Sequence, residues 1–403
     1  SLPRQFFLRL RLPKQVRSFC FTTPLLRCHF LKVCNMHSNA AILYNVEEDL
    51  IVDTLSLSEP RRGEVLIKMG AAGICHSDVH VISGQAKQKL PCVLGHEGAG
   101  TVIDKGEEVS SVRVGDQVVL NWLPYCRKCH QCERGRTHLC QAYEAVVRNG
   151  TLMDGSCRFK KNGEDIRQLG ALGCWAEYIV VPEECCVSIN KRVPFDVAAL
   201  LGCAVTTGVG AVINRAKVQS GDIVVIIGVG GVGLSLLMGA KLQGAAKIIC
   251  IDTSNQVKEL AHSLGCTDFI LAEDSTDVGE KIKLLTGIGA DHVFEAVGKS
   301  SLQQAALDYC CPGGQVTYVG LDAPNAQISL PTTDITRSEK IVTGSIYGSA
   351  CTDRDFISYA ANYLQGSLPV EKLITGYYSL DQVNKGIQHM LKGGTGRGII
   401  YFK

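Results

Sequence analysis

The chain is predicted to be an α/β protein, a partly open β-barrel followed by a doubly wound parallel sheet. Three observations predict this. Short apolar or alternating runs, broken by glycine and charged turns, crowd the first half. From about residue 206, continuous apolar runs alternate with helical stretches, the pattern of strands buried on both faces. At 403 residues the chain exceeds a usual single core, so more than one domain is expected.

Taken in order, residues 41–44, 50–54 and 64–69 are apolar or alternating, with Pro60 and Gly63 marking a turn. Further strands are expected at 99–103, 117–120, 177–181 and 186–189. Residues 223–227 open the second pattern; a helix of small residues runs on to Gln243, and a strand follows at 247–251. Strands at 268–271, 292–295, 315–319 and 341–343 would complete a parallel sheet. The expected units are an N-terminal extension 1–37, a first domain 38–205, a second 206–347 and a C-terminal segment 348–403. That segment, ending in a strand at 398–402, is expected to pack back on the first domain.

Composition narrows the function classes. Hydrophobic content of 46% and charged content of 20% fit an ordinary soluble protein. A net charge of +2 argues against a general nucleic-acid binder. No apolar run is read as approaching the roughly 18 residues that span a bilayer, so no membrane partner is expected. The first 46 residues lack Asp and Glu but carry Arg4, Arg9, Arg11, Arg17 and Arg27. Such a start resembles a mitochondrial transit peptide and would place the protein in the matrix. The competing reading is an extended start ahead of Met36 and a cytoplasmic protein.

Nineteen cysteines would suit a disulfide scaffold only in a short secreted chain. Six stand at zinc-ligand positions. The other thirteen, among them Cys250 and the doublets Cys185-Cys186 and Cys310-Cys311, read as small buried hydrophobes in a reducing compartment.

Cys126, Cys129, Cys132 and Cys140 form a C-x2-C-x2-C-x7-C run. Four thiolates close a tetrahedral zinc site with no open position. One compact lobe, rather than two C-x2-C units set far apart, points to a structural zinc and away from a nucleic-acid ribbon. Arg127, Lys128, Arg134 and Arg136 would offset its negative charge. A second set, Cys75, His96 and Cys203, supplies two thiolates and an imidazole and leaves a fourth position free. Asp78 is expected to hold the His96 ring, and Glu97 to do likewise for the metal or to serve as a transient ligand.

Gly228, Gly230, Gly231, Val232 and Gly233 lie in a G-x-G-x-x-G run that follows an apolar strand and opens a helix. Asp252 ends the next strand, 19 residues past Gly233. The glycines allow a pyrophosphate close to the helix N-terminus; the carboxylate would accept from ribose hydroxyls and repel a 2′-phosphate. NAD is therefore expected over NADP.

Read together, G-I-C-H-S-D, G-H-E-G-A-G, the four-cysteine lobe, G-C-A-V-T-T-G and G-V-G-G-V-G occur in that order. The chain so resembles the zinc-containing medium-chain alcohol dehydrogenases, over essentially residues 40–403. The resemblance implies a GroES-like catalytic domain completed by the C-terminal segment, a Rossmann coenzyme domain, one catalytic and one structural zinc, and a homodimer or homotetramer. It also implies that Ser77 takes the alcohol proton and passes it through the nicotinamide ribose hydroxyl to His80. His76 and Arg397 match pyrophosphate-binding positions, Thr207, Val232 and Val319 match positions around the nicotinamide, and Trp122 matches the wall of the alcohol pocket. The expected substrate is a primary alkyl or aryl alcohol. The glutathione-dependent formaldehyde branch uses acids after the first zinc ligand and an arginine after the lobe. Here those stretches read Gly84-Gln85-Ala86-Lys87-Gln88-Lys89 and Gln141-Ala142-Tyr143-Glu144. A thiol adduct such as S-hydroxymethylglutathione, or a non-catalytic zinc-loaded binding protein, stands as the alternative.

Overall fold

The computed structural model of the chain describes residues 36–273 and 277–403. Residues 1–35 of the expected extension 1–37 therefore lie outside the described residues, and Met36 and His37 open the first strand.

Five strands close a small barrel: Met36–Leu43, Ile51–Leu57, Phe159–Lys161, Glu164–Gln168 and Cys92–Val93, the last pairing back with the first. The first two run past the expected 41–44 and 50–54. Pairing continues out to Met36 opposite Leu57, and Ser38 Oγ donates to the Tyr178 carbonyl at 2.9 Å. The hairpin 159–168 was not expected, because charged residues dominate it. Its apolar residues, Phe159 and Ile166, face each other in register and both point into the core.

A second sheet runs Cys186–Ser188, Gln117–Leu120, Gly98–Lys105, Glu64–Ile74, Arg397–Tyr401, Ile374–Tyr378. Arg397–Tyr401 lies antiparallel to the end of Glu64–Ile74, with Gly398 opposite Ile74. That register sets Arg397 beside Cys75, although 322 residues separate them.

The third sheet is parallel throughout, in the order Asp268–Leu271, Lys247–Asp252, Ile223–Ile227, Ala290–Glu295, Cys310–Tyr318, Ile341–Gly344. Strand order reverses at Ile223–Ile227, whose neighbours lead away in opposite directions. The crevice past its C-terminal end is where such sheets bind ligands.

One helical run, Phe195–Ala216, corrects the reading that no segment is long and apolar enough to span a bilayer. It has 22 residues, and its most apolar 18-residue window has a mean hydropathy of 1.8. That window is 83% buried inside the protein, in one core with Ala71, Ala99, Val119, Ile226 and Leu237. A helix apolar all round belongs in such a core. Cys185, Cys186, Cys250, Cys310 and Cys311 are buried, and the cysteines among the described residues are free thiols.

Candidate active site

The first ligand set is assembled where three elements end. Glu64–Ile74 delivers Cys75, which stands at the N-cap of the helix His76–Ile82. His96 and Glu97 lie in the turn before Gly98–Lys105, and Cys203 sits in a π-type turn of the long helix, 201–205. Such wide turns are rare and favour functional positions. The donor atoms of Cys75, His96, Glu97 and Cys203 all fall within 4.8 Å of one another, and all four residues are buried. Two sulfurs, an imidazole nitrogen and a carboxylate at that spacing fit zinc.

The surroundings hold these groups in place. Asp78 is sealed from solvent; its Oδ1 meets His96 Nδ1 at 3.2 Å and accepts from the Gly95 backbone at 3.0 Å. Fixing Nδ1 leaves Nε2 for a metal. Gly73 is needed as glycine, since a Cβ there would lie 2.0 Å from Glu97 Oε2. Trp175, fully buried, donates its indole N–H to the Gly73 carbonyl at 3.1 Å and packs under Gly95. Its role was not legible in the sequence.

Charge is concentrated here. A hydrogen bond from Cys203 holds the Cys75 thiol well below its usual range, and Arg397 and His96 add to this. Burial pushes Glu97 up to about 7 against the pull of Arg397. Arg397 is 4% exposed, with Nε 3.4 Å from Glu97 Oε1 and Nη2 3.7 Å from Cys75 Sγ. Its guanidinium also covers Gly231, where a Cβ would meet it at 2.5 Å. One arginine thus joins the ligand cluster to the glycine turn.

That turn is built as a cradle. Gly228 has φ +87°, and a Cβ at Gly233 would lie 1.9 Å from the Gly228 carbonyl oxygen. A Cβ at Gly230 would meet nothing within 4 Å, so open space faces the start of the helix Gly231–Leu242. Asp252 accepts from the backbone N–H groups of Val229 at 2.8 Å and Ser254 at 2.9 Å. These features fit a dinucleotide phosphate and ribose. Val232 and Thr207 are half-buried near this turn, and Val319 is buried at the end of Cys310–Tyr318.

Ser77 is exposed, with its hydroxyl 3.8 Å from Cys75 Sγ. His80 lies on the same helix, and its Nδ1 meets Gln85 Oε1 at 2.5 Å. Among the described residues no hydrogen bond joins Ser77 to His80. His76 keeps an exposed edge beside Arg397; partial desolvation of its ring and that charge depress its imidazole. Trp122 stands edge-on to His96 at 6.0 Å and 4.8 Å from Tyr347, measured between rings. Tyr347, another residue without a sequence signal, donates to the Gly202 carbonyl at 2.5 Å and braces the Cys203 turn.

The four-cysteine lobe comes together as a second cluster, its sulfurs also within 4.8 Å. The Cys132 and Gln141 backbone N–H groups draw Cys129 down to about 6, which favours thiolate. The lobe is tied to the chain near residue 350 by Arg127–Asp353 at 2.5 Å and Thr137 Oγ1 to the Ala350 carbonyl at 3.1 Å.

Residues 61–191 match the alcohol dehydrogenase GroES-like domain family, and residues 231–363 the zinc-binding dehydrogenase family. The chain is similar to the S-(hydroxymethyl)glutathione dehydrogenase of Saccharomyces cerevisiae, 37% identical over 374 residues, covering 90% of this chain and 95% of that protein. The Synechocystis enzyme of that name is 35% identical, over 91% of this chain and all of its own length. Benzyl alcohol dehydrogenase from Acinetobacter calcoaceticus superposes with a TM-score of 0.87 at 30% identity, covering 91% of this chain and 100% of that one.

Proposed function

We propose a reaction for this chain, which belongs to the zinc-containing medium-chain alcohol dehydrogenase family: NAD-dependent interconversion of a primary alcohol and its aldehyde. The observation that carries it is the position of Arg397, between the Cys75–His96–Glu97–Cys203 cluster and the glycine turn. That position supports a metal site and a coenzyme site lying side by side.

Cys75, His96 and Cys203 would hold a catalytic zinc, which as a Lewis acid lowers the pKa of an alcohol, while NAD accepts hydride. The rest falls to the chain. Asp78 fixes the His96 tautomer. Ser77, beside Cys75, takes the hydroxyl proton, and His80, one helical turn further on, releases it to water; a bound nicotinamide ribose hydroxyl would supply the link between them. Arg397 and the start of the Gly231–Leu242 helix receive the pyrophosphate, and Asp252 the adenosine ribose. Trp122 and Tyr347 form an aromatic wall that keeps water from the reacting carbon and suits an alkyl or aryl group.

A second reading, oxidation of a thiol–formaldehyde adduct, is favoured by the relatives that carry that name. Against it stand the basic 84–89 loop and the missing arginine past the lobe.

The test is NAD+ reduction by purified protein across simple primary alcohols and S-hydroxymethylglutathione, with zinc assayed on the same sample. Turnover of simple alcohols at two zincs per chain supports the reading. Turnover of the adduct alone replaces it with the second.

A further inference from the structure

We propose that the physiological substrate carries a carboxylate remote from its carbinol carbon, seated by Arg136, Arg215 and Lys217. This rests on the dehydrogenase reading and adds a substrate class to it. A groove of about 1000 Å³ lies between the cysteine lobe, the end of the Phe195–Ala216 helix and residues 318–321 and 344–346. The three cations line it, and no Asp or Glu does. Among the described residues, the side chains of Arg136 and Lys217 have no ion pair or hydrogen bond. Arg215 donates to Thr343 Oγ1 and, among the described residues, pairs with no carboxylate. Three like charges around one concavity repel one another, and a purely structural arrangement would be expected to bring an acid among them.

Two neutral groups in the lining are also unsatisfied. Ser345 is 8% exposed, and among the described residues neither its hydroxyl nor His138 Nδ1 has a partner. Buried polar atoms normally find partners, and a carboxylate accepts hydrogen bonds from both kinds of group. Through His138, Leu139 and Ile346 the groove adjoins a cavity of about 390 Å³, which Trp122 helps to line. The same indole stands edge-on to His96, their rings 6.0 Å apart. A molecule with its carbinol at the ligand cluster and its body along Trp122 would therefore direct its far end to the cations. A simple carboxylated alcohol and a peptide-like thiol adduct share this chemistry.

The experiment compares kcat/KM of the zinc-loaded, full-length enzyme for benzyl alcohol, 4-(hydroxymethyl)benzoate and S-hydroxymethylglutathione. At low salt a carboxylated substrate should be preferred over benzyl alcohol by about tenfold or more, and the preference should shrink as salt is added. Arg136→Gln with Lys217→Asn should cut that ratio about tenfold, with an unchanged melting temperature showing that the variant is folded. Loss confined to the glutathione adduct identifies a peptide-like source; loss for both identifies a general carboxylate seat. Equal kcat/KM for charged and neutral substrates, or a ratio the variants leave alone, overturns the proposal. Absence of all turnover would sink the dehydrogenase reading instead. Calorimetric binding of 4-(hydroxymethyl)benzoate to wild type and variant then decides the seat separately: binding lost in the variant supports it, and binding absent from wild type removes it.

Discussion

Arg397 Nε stands 3.4 Å from Glu97 Oε1, with both residues all but sealed from water. The contact joins the final strand to the turn that carries His96. Removing one partner of a buried pair leaves the other charge uncompensated, at a cost of about 3–5 kcal/mol. Arg397→Met should therefore lower the melting temperature and raise the NAD dissociation constant together. Adding Glu97→Gln should recover much of the melting temperature but not NAD binding. Thermal melts and NAD titration of the single and double variants separate the two effects.

Asp78 acts through His96 and not on substrate. Asp78→Asn keeps the shape but weakens the hold on Nδ1, and such changes typically cost about 10- to 100-fold in metal affinity. Stepwise dialysis against a chelator should strip one zinc per chain from this variant earlier than from wild type. The four-cysteine zinc should leave at the same chelator concentration in both. Simultaneous loss of both metals would show that Asp78 serves the fold generally.

Two glycines of one turn should fail differently. A Cβ at Gly233 would stand 1.9 Å from the Gly228 carbonyl, so Gly233→Ala must distort the turn and lower the melting temperature. At Gly230 a Cβ meets nothing, and φ is −74°, which any residue adopts. Gly230→Ala should melt like wild type yet bind NAD at least about tenfold more weakly, because the methyl enters the space left for the pyrophosphate. Normal NAD binding by Gly230→Ala would place the dinucleotide elsewhere.

Arg158 is fully buried, bonded to Glu64 and, at 2.8 Å, to Asp154. Arg158→Ala should destabilise by about 3–5 kcal/mol, read from denaturant unfolding. Ser156 and Arg158 hold the Asp154 carboxyl well below its usual range, against the effect of burial. A carboxyl depressed in the folded state adds stability above its unfolded value of about 3.9, and that stability is lost as pH falls through the folded value. Wild type should therefore lose stability on acidification below about pH 4 more steeply than an Asp154→Asn variant. Parallel slopes for the two proteins would remove Asp154 from the account.

By itself the sequence determined the ligand types, the glycine turn and the alternation of the parallel sheet, because each is a local pattern. Cysteine spacing limits which sulfurs can share a metal, a β-branched run as short as 223–227 between turn signals reads as a strand buried on both faces, and a glycine turn needs only its flanking strand and helix. It read less well where the pattern was mixed. The hairpin 159–168 is mostly charged and still closes the barrel through Phe159 and Ile166. The helix Phe195–Ala216 was missed as one long apolar element because Thr206, Thr207 and several glycines break its pattern. Only the tertiary structure decided what depends on residues far apart in the chain. The register of Arg397–Tyr401 on Glu64–Ile74 brings Arg397 to Cys75 across 322 positions. Packing puts Trp175 under Gly95 and Tyr347 against the Cys203 turn, and it gathers Arg136, Arg215 and Lys217 around one groove. No period or spacing encodes such meetings, because each is fixed by how whole elements bury their apolar faces against one another.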